Sequence, residues 1–423
     1  MTIKKRFILI CSLLAASCQL ALAQPKILIP MDLDQPDHLK AYGITYWGLN
    51  KGVEIDWLLN YRGGSFLADY SDLLAAECRI RGVGFEKIDA SSAASIYSLV
   101  QSEAKNMDVV KLEKAPRIAV YVPPGFQPWD DAVTLALDYA EVPYDKVWDD
   151  EVLSGKLAKY DWLHLHHEDF TGQYGKFYGS SHLEPWYQAQ VRLLEAEAQK
   201  LGYAKVSEMK KSVARKIKEY VGNGGFMFAM CSATDSYDIA LSAENTDICD
   251  AVFDGDGIDP NYEQKIDFTK TFAFENFSLV TNPMIYEYSS IDVQPVEIGT
   301  PENDYFTLFD FSAKFDPVPT MLTQNHVNVI RGFMGQTTMF HKNMIKKNVT
   351  ILGERNGSDQ VRYLYSNFGR GFFAFYGGHD PEDYQHQVGD PPTDLKLHKQ
   401  SPGYRLILNN VLFPAAKKKK LKT

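Results

Sequence analysis

Phe226-Met227-Phe228-Ala229-Met230-Cys231-Ser232-Ala233 is the stretch that decides the fold. Five apolar residues of buried-strand type run straight into a cysteine, with alanine two positions away on each side. Just upstream, Val206 to Val221 has a helical apolar period with Lys and Arg on the outer face. It stops at Gly222-Asn223-Gly224-Gly225, a glycine-rich C-cap. Helix, glycine cap, strand and sharp turn, in that order, predict a parallel sheet of α/β type. A nucleophile on a strand-to-helix turn needs small neighbours, because the backbone is cramped there; Ala229 and Ala233 meet that need. Such a turn would expose the thiol, aim a helix N-terminus at it in a way that favours the thiolate, and offer the Ser232 N–H to an oxyanion. Read locally, Cys231 serves equally well as a small apolar residue closing a buried strand.

Upstream, the same alternation recurs. Strands are predicted at Lys26 to Pro30, Val53 to Leu59, Phe85 to Ile88, Arg117 to Val122 and Tyr160 to His166. Helices are predicted at His38 to Leu49, around Ser71 to Arg79 and over Asp130 to Ala140. Strands alternating with helices predict a mostly parallel sheet with helices on both faces. Ligands of such sheets sit beyond the carboxyl ends of the strands. From about Asp250 the pattern breaks into short runs rich in Phe, Tyr, Thr, Asn and Pro, so residues 251–347 read as a β-rich insertion. The alternation resumes at Val361 to Tyr365 and Phe372 to Tyr376, and the helix Tyr404 to Leu412 closes the chain. Residues 24–250 and 348–413 thus form one elaborated α/β domain, followed by a tail at 414–423.

The late strand ends in Gly377-Gly378-His379-Asp380-Pro381-Glu382. A thiol nucleophile needs a base, and the base an orienting carboxylate; His379 and Glu382 are the right types beyond a strand end. Without Cys231 the same residues make a plain turn. Leu163-His164-Leu165-His166-His167-Glu168-Asp169 is the other dense cluster. Alternation puts His164 and His166 on one face, while His167, Glu168 and Asp169 leave the strand end. His166, His167, Glu168 and Asp169 read as a polar pocket wall, and His166, His167 and Asp169 as the candidates for a divalent metal. Asp254-Gly255-Asp256-Gly257-Ile258-Asp259 lacks EF-hand spacing and reads as an acidic turn.

The Cys231 turn, the Gly369-Arg370-Gly371 to His379-Asp380 element and the final helix resemble the class I glutamine amidotransferase-like superfamily, most closely its trehalose-utilisation (ThuA-like) branch. That resemblance implies a flavodoxin-like sheet, with Cys231 as nucleophile and His379 and Glu382 as the base pair. This chain has alanine at both glycine positions of the Gly-x-Cys-x-Gly motif, and an extra residue between His379 and Pro381-Glu382. The superfamily also uses a glycine pair after an earlier strand as oxyanion donors, a role that would fall to Gly63-Gly64, beside Arg62 at the pocket; the alternative is a simple turn. Met31-Asp32-Leu33-Asp34-Gln35 and Tyr61-Arg62-Gly63-Gly64-Ser65 look like a secreted bacterial family commonly called asparagine synthetase B. ATP-dependent synthetase chemistry is not expected, because residue 24 is Gln rather than Cys and no Ser-Gly-Gly-x-Asp-Ser loop occurs.

Lys4-Lys5-Arg6, an apolar run to Leu22 and Ala21-Leu22-Ala23 form the layout of a signal peptide over residues 1–23. The expected product is exported, to the periplasm or beyond, with Gln24 first; the alternative is a lipoprotein anchored at Cys18. Cleavage removes three basic residues and moves the net charge from −10 to −13. With Lys417-Lys418-Lys419-Lys420 as the only basic cluster, nucleic-acid binding is excluded, and no later stretch suits a membrane span. Cys78, Cys231 and Cys249 remain, too few for a disulfide framework, with room for one bridge. No cofactor is implied, and oligomeric state is not legible. Three readings stand: a cysteine hydrolase or amidase acting on a small amide or a cell-wall or glycan fragment; a non-catalytic protein binding a glycan or partner; and a metal-dependent enzyme at the His-rich strand end.

Overall fold

The computed structural model describes residues 24–124, 131–316, 319–322, 327–387 and 389–416. The leader 1–23 with Cys18, and the lysines of the tail, lie outside them. The N-terminal part contains β1 (Lys26–Ile29), α1 (His38–Asn50), β2 (Ile55–Leu59), β3 (Ser65–Asp69), α2 (Asp72–Arg81), β4 (Glu86–Ile88), α3 (Ala90–Gln101) and β5 (Asp108–Leu112). Its five strands make a separate sheet, order β4-β1-β3-β2-β5, in which every pairing is antiparallel. This corrects the expectation of a single, mostly parallel sheet. Only residues 60–64 join β2 to β3, and a parallel crossover needs a dozen or more. Asn60, Arg62, Gly63 and Gly64 all take positive φ, which reverses the chain in place.

The second sheet has ten strands. β6 (Ile118–Tyr121), α4 (Ala132–Ala140), β7 (Asp145–Val147), α5 (Asp149–Leu153), β8 (Trp162–Leu165), α6 (Tyr178–Ser181), α7 (Pro185–Lys200), α8 (Val206–Gly222), β9 (Phe226–Met230) and α9 (Ala233–Ser242) follow in chain order. Then come β10 (Tyr305–Leu308), β11 (Val329–Arg331), β12 (Phe340–His341), β13 (Thr350–Glu354), β14 (Gln360–Phe368), β15 (Gly371–Tyr376) and a closing helix, Pro402–Leu412. The order is β11-β10-β13-β14-β15-β9-β8-β6-β7, with β12 beside β14. From β15 to β7 the pairings are parallel; from β14 outward they are antiparallel. The fold is mixed α/β with a large mixed sheet.

Strand alternation sorts the core into two layers. Trp162, Phe226, Phe228, Ala374 and Tyr376 face α1, α4 and the closing helix, whereas Leu163, Met227, Ala229, Phe373 and Phe375 face α7, α8 and α9. Among the described residues between 251 and 347 three short strands form, β10, β11 and β12, and these pair within the main sheet. Several aromatic residues there are spent on packing: Phe272, Phe274 and Tyr288 are buried. Their irregular backbone is satisfied from elsewhere, with Asp238 accepting the N–H groups of Phe272, Ala273 and Phe274. No helix among the described residues is long and apolar enough to cross a membrane.

The two sheets are clamped by Arg405 of the closing helix. Its fully buried guanidinium donates to the carbonyls of Met31 (3.2 Å) and Gly63 (2.8 Å), at the ends of β1 and of the β2–β3 turn. Arg405→Met keeps the bulk and removes these donors. At about 1–3 kcal/mol for each of the two orphaned acceptors, we expect a loss of roughly 2–6 kcal/mol, read from the urea midpoint. An unmoved midpoint would show that the clamp carries no stability.

Candidate active site

Four neighbouring strands end on one edge of the parallel half, and each sends polar side chains there. Asp131 follows β6 as the N-cap of α4, His166 and His167 follow β8, Cys231 follows β9 and His379 follows β15. Backbone bonds stitch the ends together: Ala233 N–H donates to His166 O (3.0 Å) and Cys231 N–H to Gly378 O (3.2 Å). Cys231 itself sits at φ 50°, in the left-handed region that few residues with a Cβ adopt. The strand-to-helix elbow is therefore present, with Ala229 and Ala233 buried on either side, but the Cys231 thiol that it was expected to expose is buried as well.

His166 Nε2 lies 2.9 Å from His379 Nδ1, with the two rings inclined at 76°. Behind His166, its Nδ1 faces Asp131 Oδ1 at 3.6 Å, and His164 Nε2 reaches the same oxygen at 3.2 Å. Burial works to raise the Asp131 carboxyl, but the adjoining His164 and His166 imidazoles hold it below its ordinary value. Burial keeps His166 well below the usual imidazole value. Glu168 is pushed up to about 7 by burial; one oxygen accepts His166 N–H at 2.8 Å, and the other is buried with no hydrogen bond.

A strap from the 251–347 excursion, residues 332–338, covers this edge. Gln336 N–H donates to Cys231 Sγ (3.3 Å), and its side chain is pinned by the carbonyls of Gly175 (2.8 Å) and Tyr286 (3.1 Å). Gly378 N–H donates to Thr337 O and His379 N–H to Met334 O, each at 2.8 Å. Gly335 passes so close that a Cβ there would lie 2.8 Å from His379 N. Two buried acids hold the strap, Asp235 through Thr337 and Asp292 through Thr338, each at 3.0 Å. Burial raises Asp235 to about 7 and Asp292 well above its ordinary range.

Several expected participants are employed elsewhere. The Glu382 carboxylate pairs with His398 at 2.9 Å. Arg62 is held by Asp32 and Glu86 (both 2.6 Å) and by Asp34 (3.3 Å) on the antiparallel sheet. In that same turn Gly64 N–H closes on Tyr61 O, and Gly63 fits because a Cβ would lie 2.2 Å from Met31 O. Asp169 caps its own loop, accepting from Thr171 N (2.6 Å) and Gly175 N (3.2 Å), so His379 rather than Asp169 joins His166 and His167. Cys78, Cys231 and Cys249 are all free thiols, with no bridge between them. A cavity of about 550 Å³ opens at the opposite, amino ends of the strands, lined by Arg117, Tyr160, Phe226, Arg370 and Phe372. Sequence reading passed over Asp131, Asp235, Asp292 and Gln336; of these only Asp131, a helix cap after a strand, had a local signal.

No family model and no curated protein matches the chain. Among solved structures, two cytoplasmic proteins of Salmonella typhimurium are 10% and 12% identical, with TM-scores of 0.34 and 0.36; each match covers 71% of this chain and all of the other. A β-galactosidase from Bacillus circulans sp. alkalophilus is 10% identical over 64% of this chain and 29% of its own, with a TM-score of 0.25.

The elbow geometry makes a specific stability demand. Cys231→Gly should be more stable than Cys231→Ala by about 1 kcal/mol, because only glycine occupies the left-handed region without penalty. Thermal melts of the two variants test this; alanine above glycine would refute the left-handed turn.

Proposed function

We propose that this chain is an exported cysteine-dependent hydrolase, of amidase type, on a flavodoxin-like, class I glutamine amidotransferase-like scaffold. One observation carries the reading: Cys231 occupies a strained elbow whose N–H is bonded to Gly378, so the thiol and His379 leave adjacent parallel strands at the same edge. Counted in chain order, the parallel strands β6, β7, β8, β9 and β15 stand as 2-1-3-4-5 across the sheet, the flavodoxin-like order. The substrate class is a small amide or a cell-wall or glycan fragment bearing one.

In this mechanism His379 takes the thiol proton as sulfur attacks the carbonyl carbon. The carbon–nitrogen bond then breaks, and the leaving nitrogen receives that proton from His379. Water, giving a proton to His379, hydrolyses the thioester and restores the thiol. The orienting carboxylate is Asp131, acting through His166, in place of Glu382. Backbone N–H groups on the α9 side of the elbow, Ser232 first among them, meet the oxyanion, and the strap has to yield for substrate to enter.

Iodoacetamide labelling of the native protein, followed by peptide mass mapping, should modify Cys231 ahead of Cys78 and Cys249. Burial pushes Cys78 up to about 12 and Cys249 well above its ordinary value, leaving both inert. In a panel of glutamine, asparagine and short peptidoglycan fragments, turnover should vanish in Cys231→Ala and fall about 10²–10⁴-fold in His379→Ala. A folded protein whose Cys231 resists labelling would sink the thiol mechanism and leave a binding scaffold.

A further inference from the structure

We propose that His166, His167 and His379 form a site for one divalent cation of the zinc class, and that loading it silences Cys231. The second half rests on the thiol mechanism above; the first does not. The ligating nitrogens of the three rings all lie within 4.8 Å of one another, and the closest pair, His166 Nε2 and His379 Nδ1, is 2.9 Å apart. Around a tetrahedral zinc with bonds of about 2.0–2.1 Å, ligand nitrogens stand roughly 3.3 Å apart, so a shift of a few tenths of an ångström admits the ion between that pair. The rings of His166 and His167 are 86° apart and those of His166 and His379 76° apart, inclinations that let lone pairs converge on a point.

The surroundings match a metal site as well as the ligands do. His166 Nδ1, on the far side of the ring, has no hydrogen bond and faces the Asp131 carboxylate at 3.6 Å. A ligating imidazole ordinarily directs its second nitrogen to a carboxylate in this way. Asp131 Oδ2 and Glu168 Oε1 are likewise buried without hydrogen-bond partners. Three imidazoles with no oxygen ligand select zinc or a similar ion over calcium or magnesium, and leave a fourth position for water. By contrast, the group of Asp247, Cys249 and Asp254 is already served by Lys205, whose ammonium lies 2.6 Å from Asp247 and 3.2 Å from Asp254.

A cation on His379 Nδ1 leaves the ring proton on Nε2, and the ring then has no lone pair with which to take the thiol proton. The same imidazole therefore serves either the ion or Cys231. The test uses the full folded protein, stripped with EDTA and titrated with zinc, then with cobalt(II) as a visible probe. One equivalent should bind, cobalt should give a four-coordinate spectrum without a thiolate charge-transfer band, and zinc should slow iodoacetamide labelling of Cys231 at least tenfold. His167→Ala, checked for folding by circular dichroism, should lose stoichiometric binding and the zinc dependence of labelling together; His166→Ala should do the same. No stoichiometric ion, or binding that survives both substitutions, overturns the site. Binding of one ion that leaves labelling unchanged overturns the silencing alone. A Cys231 that resists labelling even in EDTA counts against the thiol mechanism while leaving the bound ion standing.

Discussion

Two backbone hydrogen bonds, Cys231 N–H to Gly378 O and Ala233 N–H to His166 O, hold the carboxyl edge of the parallel strands together. Each continues the sheet's pairing past the point where the strands stop. They force the ends of β8, β9 and β15 to stay abreast, so that side chains far apart in sequence emerge within hydrogen-bonding distance. The left-handed turn at Cys231 is the cost of that arrangement. A cysteine at φ 50° is disfavoured by about 1–2 kcal/mol, and strain of this kind persists only where surrounding structure over-determines it.

Behind the edge, buried charge is managed at two levels. Asp131 is held locally, by the backbone N–H groups at the N-terminus of α4 and by the adjoining His164 and His166 rings. Asp235 and Asp292 instead hold the strap through hydroxyl and amide donors, and burial raises the pKa of both. The edge thus combines an ionised carboxylate on the imidazole side with carboxyl groups of raised pKa on the strap side.

Much of the main sheet was legible because its cues are local. The apolar run Phe226 to Met230, the alternation Leu163-His164-Leu165-His166 and the Gly371 to Tyr376 strand each declare themselves within a few residues. Strand ends then nominate Cys231, His166, His167 and His379. The N-terminal sheet was misread because Ser65–Asp69 and Asp108–Leu112 are ordinary in composition, and direction depends on connection length rather than on strand content. Glu382 was nominated by its spacing from His379, but spacing is silent on where a side chain turns, and His398 claims it. Asp131, reached only through a second histidine, and the strap residues Gln336 and Thr337, brought by a long irregular excursion, have partners that no sequence period encodes.

β15 lies at the centre of the ten-stranded sheet, between β9 and β14, yet it comes from residues 371–376 of a 423-residue chain. The middle of the sheet is therefore the last strand to be synthesised, and until it arrives β9 has an open edge where β15 belongs. An unpaired interior edge is a template for wrong partners, and a long-range insertion of this kind is slow. His379 reaches the edge with this same late strand, so a chain cut short at any point before residue 379 carries Cys231 without it. Pairing of β15 with β9 is therefore the moment at which Cys231 and His379 come to share one edge.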